Sequence, residues 1–224
     1  MRRVLVFVLL IFCAVAPVQQ SLAGSGFGFH ANLTNFRVGG EVGRITGLSS
    51  APGTSTAFAL KEIYGIGYGG GIHVDLGIPI VSIRLSGDYL TLSPDGQKVQ
   101  DFLRAYTGSS SAVFSVDGGR ITMISGNANL KINILPLPVF KPYITGGIGL
   151  ANIKADDLVI TFNNFRLPGF QLLQTQTVTM YNLGVGLDLD FVGIVLYGEV
   201  KVNWVMLKEG TGTQVPIATL GLTF

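Results

Sequence analysis

The chain has 224 residues, 48% hydrophobic and only 12% charged, with 15 Lys and Arg against 13 Asp and Glu, and a mean hydropathy of +0.50. Soluble domains carry about 25% charged residues, so an ordinary soluble domain is excluded, and the near-neutral balance offers no footprint for nucleic acid. Beyond the N-terminus no run of about 18 apolar residues occurs, which excludes helical membrane spans and leaves the closed β-barrel as the way to cross a bilayer.

The N-terminus reads as an export signal. Arg2 and Arg3 form a basic start, Val4 to Ala16 is apolar, and Ser21-Leu22-Ala23 ends on small residues. A signal peptide over 1–23, cut between Ala23 and Gly24, is expected, with 24–224 as one barrel domain. A permanent anchor fits less well because Pro17 interrupts a short apolar run. A lipoprotein signal at Cys13 is disfavoured by Phe12 before it. Arg2 and Arg3 are the only charges in the leader, so taking two from 15 basic residues leaves 13, equal to the 13 acidic ones. Cys13, the sole cysteine, leaves with the leader, which removes disulfides and thiolate metal sites.

Eight period-two segments follow, each with one apolar and one small or polar face. The first sets Phe27, Phe29, Ala31 and Leu33 against His30, Asn32 and Thr34. The second, Tyr64 to Ile78, sets Tyr64, Ile66, Tyr68, Ile72, Val74, Leu76 and Ile78 against five glycines, His73 and Asp75. The third sets Val81, Ile83, Leu85 and Tyr89 against Ser82, Arg84, Ser86 and Asp88. The fourth sets Ile124, Ala128, Leu130, Ile132 and Ile134 against Asn127, Asn129, Lys131 and Asn133. The fifth sets Ile144, Ile148 and Leu150 against Tyr143, Thr145, Gly147 and Gly149. The sixth sets Tyr181, Leu183, Val185, Leu187 and Leu189 against Asn182, Gly184, Gly186 and Asp188. The seventh sets Leu196, Val200, Val202 and Trp204 against Tyr197, Glu199, Lys201 and Asn203. The last sets Ala218, Leu220, Leu222 and Phe224 against Ile217, Thr219, Gly221 and Thr223.

Short turns near Gly77–Pro79, Leu135–Pro138 and Asp190–Gly193 alternate with long connections at about 35–61, 93–119, 153–176 and 206–214. Membrane barrels show this asymmetry between their two ends. Val99, Phe102, Leu103 and Tyr106 recur at helical spacing, which predicts a short helix in the second long connection. Leu158 to Phe162 is expected to extend the fifth strand above the membrane.

The charges fix which face looks inward. Asp75, Arg84, Asp88, Lys131, Asp188, Glu199 and Lys201 all lie opposite the aliphatic residues. A lipid-facing Lys or Arg at mid-depth would cost about 2–4 kcal/mol. The fold class is therefore all-β: an eight-stranded antiparallel up-and-down transmembrane β-barrel. An eight-stranded lumen is just wide enough for side chains to fill, and the glycines read as clearance for Arg84, Asp88, Glu199 and Lys201.

Residues 141–150 (KPYITGGIGL), 181–188 (YNLGVGLD) and 196–202 (LYGEVKV) resemble the eight-stranded outer-membrane β-barrel domain family of outer-membrane protein A-like and opacity-type small barrels. The resemblance implies a bacterial outer-membrane location, periplasmic chaperones and the barrel-assembly machinery as biogenesis partners, and recognition of the last strand through Leu220, Leu222 and Phe224. Leu222 stands where a second aromatic is usual in that family, and Thr219 where a glycine is usual.

Three functions compete. The first is a structural or surface-interaction barrel with a filled lumen, in which His73, Asp75, Arg84, Asp88, Lys131, Glu199 and Lys201 form a charge network. Pairing around Ile78–Pro79 would set His73 opposite Arg84 and Gly69 opposite Asp88. The second is a narrow channel for small or hydrophobic solutes, with Pro142 and Pro216 each removing a ladder donor. The third, least favoured, is a lipid-modifying enzyme, for which no motif places a Ser or Glu beside His30 or His73. No cofactor, metal or catalytic residue is assigned, a monomer is expected, and the loops carry no readable ligand motif.

Overall fold

In the computed structural model the described residues are 25–34, 43–46, 55–58, 63–78, 80–107, 114–135, 137–162, 165–166, 169–171, 173–191, 193–207 and 212–224. The signal segment with Ala23 and Gly24, and most of the first long connection, lie outside them. Fourteen strands and one helix are described: β1 (Gly26–Thr34), β2 (Gly43–Thr46), β3 (Ser55–Phe58), β4 (Gly67–Gly77), β5 (Val81–Leu92), α1 (Gly96–Thr107), β6 (Phe114–Gly118), β7 (Ile121–Asn133), β8 (Phe140–Ala155), β9 (Asp157–Phe162), β10 (Phe165–Arg166), β11 (Phe170–Gln171), β12 (Gln176–Phe191), β13 (Ile194–Met206) and β14 (Gly212–Thr223).

Eight of these strands close a barrel in the order β1-β14-β13-β12-β8-β7-β5-β4, with β4 returning to β1. Every ladder is antiparallel and joins chain neighbours, apart from the β1–β14 seam. Closure leaves no sheet edge to satisfy in lipid. No helix among the described residues is long and apolar enough to cross a membrane.

The outside of this barrel is an apolar belt. Leu33, Ile72, Leu85, Ile124, Ile148, Leu183, Val200 and Leu220, one from each wall strand, are between 45% and 62% exposed. So large a continuous apolar surface has no counterpart on a soluble monomer, and the structure is that of a transmembrane barrel. Aromatic rings bound the belt, as they do at both interfaces of such barrels. Phe29, Phe140, Phe191 and Phe224 stand exposed near the short-turn end, with Phe29 stacked edge-on to Phe224 at 5.9 Å. Tyr68, Tyr89 and Tyr181 stand exposed nearer the long-loop end, where Tyr181 opposes Trp204 in the ladder.

Beyond this second ring the pattern inverts without any change of register. On β12 the inward residues run Asp188, Gly186, Gly184, Asn182 and then Met180 and Val178, while the outward ones run Leu187, Val185, Leu183 and Tyr181 and then Thr179 and Thr177. On β8 the inward Tyr143 and Thr145 give way to Ala151, Ile153 and Ala155, and the outward Leu150 gives way to Asn152 and Lys154. The barrel is thus polar inside and greasy outside within the belt, and greasy inside and polar outside above it. The upper part is packed like a soluble barrel on top of a membrane one.

The long connections close this upper part. Asp95 caps α1, its Oδ1 accepting from the backbone N–H of Gln97 at 3.0 Å and of Lys98 at 3.3 Å, an N-cap arrangement. Val99 and Leu103 from α1 are 1% and 0% exposed and join Ile63, Leu90, Ile121, Leu158, Ile160, Met180 and Val205 in one cluster. The helix expected from its spacing is therefore present, although the Tyr106 side chain lies outside the described residues. Gly118 and Gly119 adopt φ of 76° and 68°, the left-handed region glycine enters without penalty, and turn the chain from β6 into β7.

Two expectations are corrected and one is met. Tyr64 does not face lipid: it is fully buried under the long-loop end and its hydroxyl donates to the Gly119 carbonyl at 2.5 Å, and burial pushes its phenol above the ordinary tyrosine range. Residues 158–162 do extend β8, as expected: after Asp156 the β7–β8 ladder carries on in the same register, with Gly118 opposite Leu158 as Ile121 is opposite Ala155. They form β9, which pairs with β6 on one side and with β10 and β11 on the other. The β4–β5 register places Asp75, not His73, opposite Arg84, and Gly71, not Gly69, opposite Asp88. The reason is the turn. Ile78 and Val81 exchange both backbone hydrogen bonds, at 2.9 and 3.1 Å, which centres the hairpin one residue later than assumed and slides the partners by two.

Candidate functional site: a layered lumen

Three layers fill the barrel interior. At the short-turn end lies a vestibule of about 270 Å³ whose lining includes Asp75, Lys131, Asn133, Lys141, Asp188 and Asp190. Above it lies a belt of buried ionic and hydrogen-bonded side chains. Above that lies the apolar layer beneath α1.

The belt contains all seven residues expected to form the charge network, each between 1% and 7% exposed. Arg84 from β5 donates through Nε and Nη2 to both oxygens of Asp75 on β4, each at 2.7 Å, the bidentate geometry a guanidinium favours. Its Nη1 stands 3.7 Å from Glu199 Oε2 on β13, and its guanidinium lies 4.3 Å from the centre of the Tyr197 ring. Lys201 stands 3.5 Å from Glu199 Oε1, as their spacing on one face of β13 requires. Lys131 from β7 donates to Asp188 on β12 at 2.5 Å and reaches Asp75 at 4.0 Å. Its ammonium sits 4.2 Å from the centre of the Tyr143 ring, whose hydroxyl donates to Glu199 at 3.0 Å. Asp88 accepts from His30 Nε2 at 2.6 Å and from Asn32 and Asn127 at 3.0 Å each.

Four ionisable members of this belt were not among the expected seven. Asp188 and His30 lie on the inward parity and were legible there, but their partners sit on β7 and β5, far away in the chain. Tyr143 and Tyr197 are 1% and 2% exposed. Each combines an apolar ring with a polar tip, which suits a lumen that is dry around and charged along its centre. Their only sequence signal is their parity.

The glycine face also takes a different meaning. A Cβ on Gly71 would stand 2.6 Å from His30 Nε2, one on Gly221 would stand 2.5 Å from Tyr197 Cε1, and one on Gly28 would collide with the His73 ring. Gly186 lies against the Tyr143 ring in the same way. The glycines clear space for two imidazoles and two phenols, rather than for Arg84, Asp88 and Glu199; Gly184, beside Lys201 Cβ, does act as expected.

The apolar layer holds Leu90, Met180, Ala151 and Leu103 at 0% exposure, with Leu92, Ile121 and Val205 at 1–2%. These side chains are buried against one another and fill this part of the lumen. A cavity of about 20 Å³ within it is lined by Leu92, Met123, Ile153, Val205, Leu207 and Val215 among others, roughly the space of a single water molecule. The arrangement gives every buried carboxylate of the belt a cationic or imidazole partner and then seals it from the long-loop side.

No family model matches the chain, and no curated protein matches it. Several solved barrels are similar to it. The attachment invasion locus protein Ail of Yersinia pestis is 10% identical with a TM-score of 0.47, over 90% of this chain and 97% of that one. Neisserial surface protein A is 11% identical with a TM-score of 0.44, over 89% and 95%. The N-terminal β-barrel domain of Pseudomonas aeruginosa OprF is 16% identical with a TM-score of 0.41, over 90% and 99%.

Proposed function

We propose that this protein is an integral barrel of a Gram-negative-type outer membrane that does not conduct, and that presents its sealed long-loop end to the outside as a structural or surface-interaction element. The observation that carries this reading is the apolar layer above the ionic belt, with Leu90, Leu103, Ala151 and Met180 fully buried. A conducting barrel of this size would line its whole length with hydrated groups. Here the polar vestibule stops at the belt. The long-loop end also carries the extra structure, with α1 and the β6–β9–β10–β11 sheet, and binding residues concentrate on such loops.

Export by residues 1–23 with cleavage between Ala23 and Gly24, and recognition of β14 by the assembly machinery through Leu220, Leu222 and Phe224, belong to the same proposal. The three β14 residues lie on the outward face, 40–62% exposed, where a partner reading the strand during insertion would meet them. Barrel closure through β1–β14 makes a monomer self-sufficient.

Orientation is tested by single cysteines, because Cys13 is the only one in the sequence. With Cys13 replaced, Thr177→Cys should react with a membrane-impermeant maleimide in intact cells. Asp190→Cys should react only after the outer membrane is permeabilised. The reverse pattern contradicts the proposal.

A second reading, uptake of small apolar solutes, has one observation in its favour: the long-loop end of the lumen is apolar. Against it, the cavity of about 20 Å³ described there is smaller than such a solute. Solute uptake into liposomes no faster than into empty ones would eliminate it.

A further inference from the structure

The geometry points to a metal site in the lumen, formed by His30 Nδ1, His73 Nδ1 and the Tyr197 hydroxyl, that takes one divalent transition ion of the zinc or copper class. Among the described residues no three His, Cys, Asp or Glu side chains group as ligands; the third donor here is a phenol.

The first support is spacing. His73 Nδ1 lies 3.4 Å from His30 Nδ1 and 3.4 Å from the Tyr197 oxygen. Ligands about 2.0–2.1 Å from a tetrahedral ion stand about 3.4 Å apart. Both separations match the edge of a coordination tetrahedron and exceed the usual hydrogen-bond length of about 2.7–3.2 Å. The imidazole centres are 5.6 Å apart and the His73 and Tyr197 centres 5.2 Å apart.

The second support is the outer ring of partners. His30 Nε2 is 2.6 Å from Asp88 Oδ1, and His73 Nε2 is 2.8 Å from Thr223 Oγ1. A metal-bound imidazole almost always donates its remote N–H to a carboxylate or similar acceptor, which fixes the tautomer. With both protons on Nε2, the two Nδ1 lone pairs face each other across 3.4 Å, a contact that a cation between them relieves. Gly71, Gly28 and Gly221 back the three rings, and a Cβ at any of them would push its ring out of place. The constellation is assembled from β1, β4 and β13, each ring against a glycine of a neighbouring strand.

The third support is charge. Four buried carboxylates, Asp75, Asp88, Asp188 and Glu199, share the belt with three buried cations, Arg84, Lys131 and Lys201. With neutral imidazoles the belt holds one uncompensated negative charge, which is costly in a dry interior. A divalent ion bound to two neutral imidazoles and the Tyr197 phenolate adds one positive charge and closes the balance. One ion enters and one phenol proton leaves to solvent. The vestibule supplies the entry path, since Thr223 and Asp75 line it and Thr223 touches His73.

The experiment uses the untagged protein, refolded in detergent and stripped by a chelator, titrated with Cu(II) and separately with Zn(II). Folding is followed by heat-modifiable gel mobility. One equivalent should bind, with about one proton released per ion, and Cu(II) should produce a phenolate-to-copper charge-transfer band. Tyr197→Phe should abolish that band, and His73→Gln should abolish stoichiometric uptake; if His73→Gln does not fold, His30→Gln carries the same expectation. Absence of uptake by the wild-type protein overturns the site. Uptake unchanged in the folded histidine variants, or a band retained in Tyr197→Phe, overturns it as well.

Discussion

Replacing Arg84 by Met removes the hub of the ionic belt. Arg84 supplies two 2.7 Å hydrogen bonds to Asp75, a 3.7 Å contact to Glu199 and the cation over Tyr197. Without it, Asp75 keeps Lys131 at 4.0 Å, while Lys131 is already committed to Asp188 at 2.5 Å. Breaking one half of a buried ion pair costs about 3–5 kcal/mol, whereas replacing both halves by apolar residues of similar volume is often near neutral. Arg84→Met is therefore expected to destabilise the barrel by about 3–5 kcal/mol. The double variant Arg84→Met with Asp75→Leu should be less destabilised than Arg84→Met alone, because no orphaned carboxylate remains at position 75. The assay is denaturant unfolding of protein refolded in lipid vesicles, followed by fluorescence of Trp204, the only tryptophan. A single variant within about 1 kcal/mol of wild type, or a double variant whose loss is the sum of the two singles, would refute the reasoning that these charges are mutually satisfying filler.

Gly71→Ala, which meets the His30 ring and the Gly87 carbonyl, should cost about 1–3 kcal/mol by overpacking; Gly126→Ala, where a Cβ meets nothing within 4 Å, should be neutral in the same unfolding assay. Ile148→Lys, in the middle of the apolar belt, should cost about 2–4 kcal/mol, while Thr177→Lys, beyond the upper aromatic ring, should cost about 0–1 kcal/mol; equal costs would contradict the inversion of the two faces. Leu103→Ala empties a fully buried position under α1 and should cost about 2–5 kcal/mol. It should also raise amide exchange in α1 well before exchange in β12 or β13 rises.

Much of this architecture is legible in the sequence, for a physical reason. Lipid outside and a narrow lumen inside impose period two on every wall strand, so Ile72, Val74 and Leu76 separate from His73, Asp75 and Gly77 without any structural knowledge. The charges follow because a lysine or arginine on the lipid face is too costly. The inversion at the upper end is written in the same residues but is harder to read. Ile121 and Met123 share the parity of Asn127 and Lys131, and Ile217 shares that of Thr219; an apolar residue on the lumenal parity marks where the strand has left the membrane. The β4–β5 register is not legible, because Ile78, Ile80 and Val81 would all suit lipid and the turn can slide among them. The meeting of His30, His73 and Tyr197 is less legible still. It depends on three strands from both ends of the chain, brought together only when β1 closes against β14.

A barrel packed in this way has a sealed lumen. Planar-bilayer recording of the refolded protein measures that directly. With Leu90, Leu103, Ala151 and Met180 fully buried above a closed ionic belt, the trace should show no discrete current steps in concentrated salt across the voltage range. Reproducible single-channel steps that survive with α1 and the belt intact would contradict it.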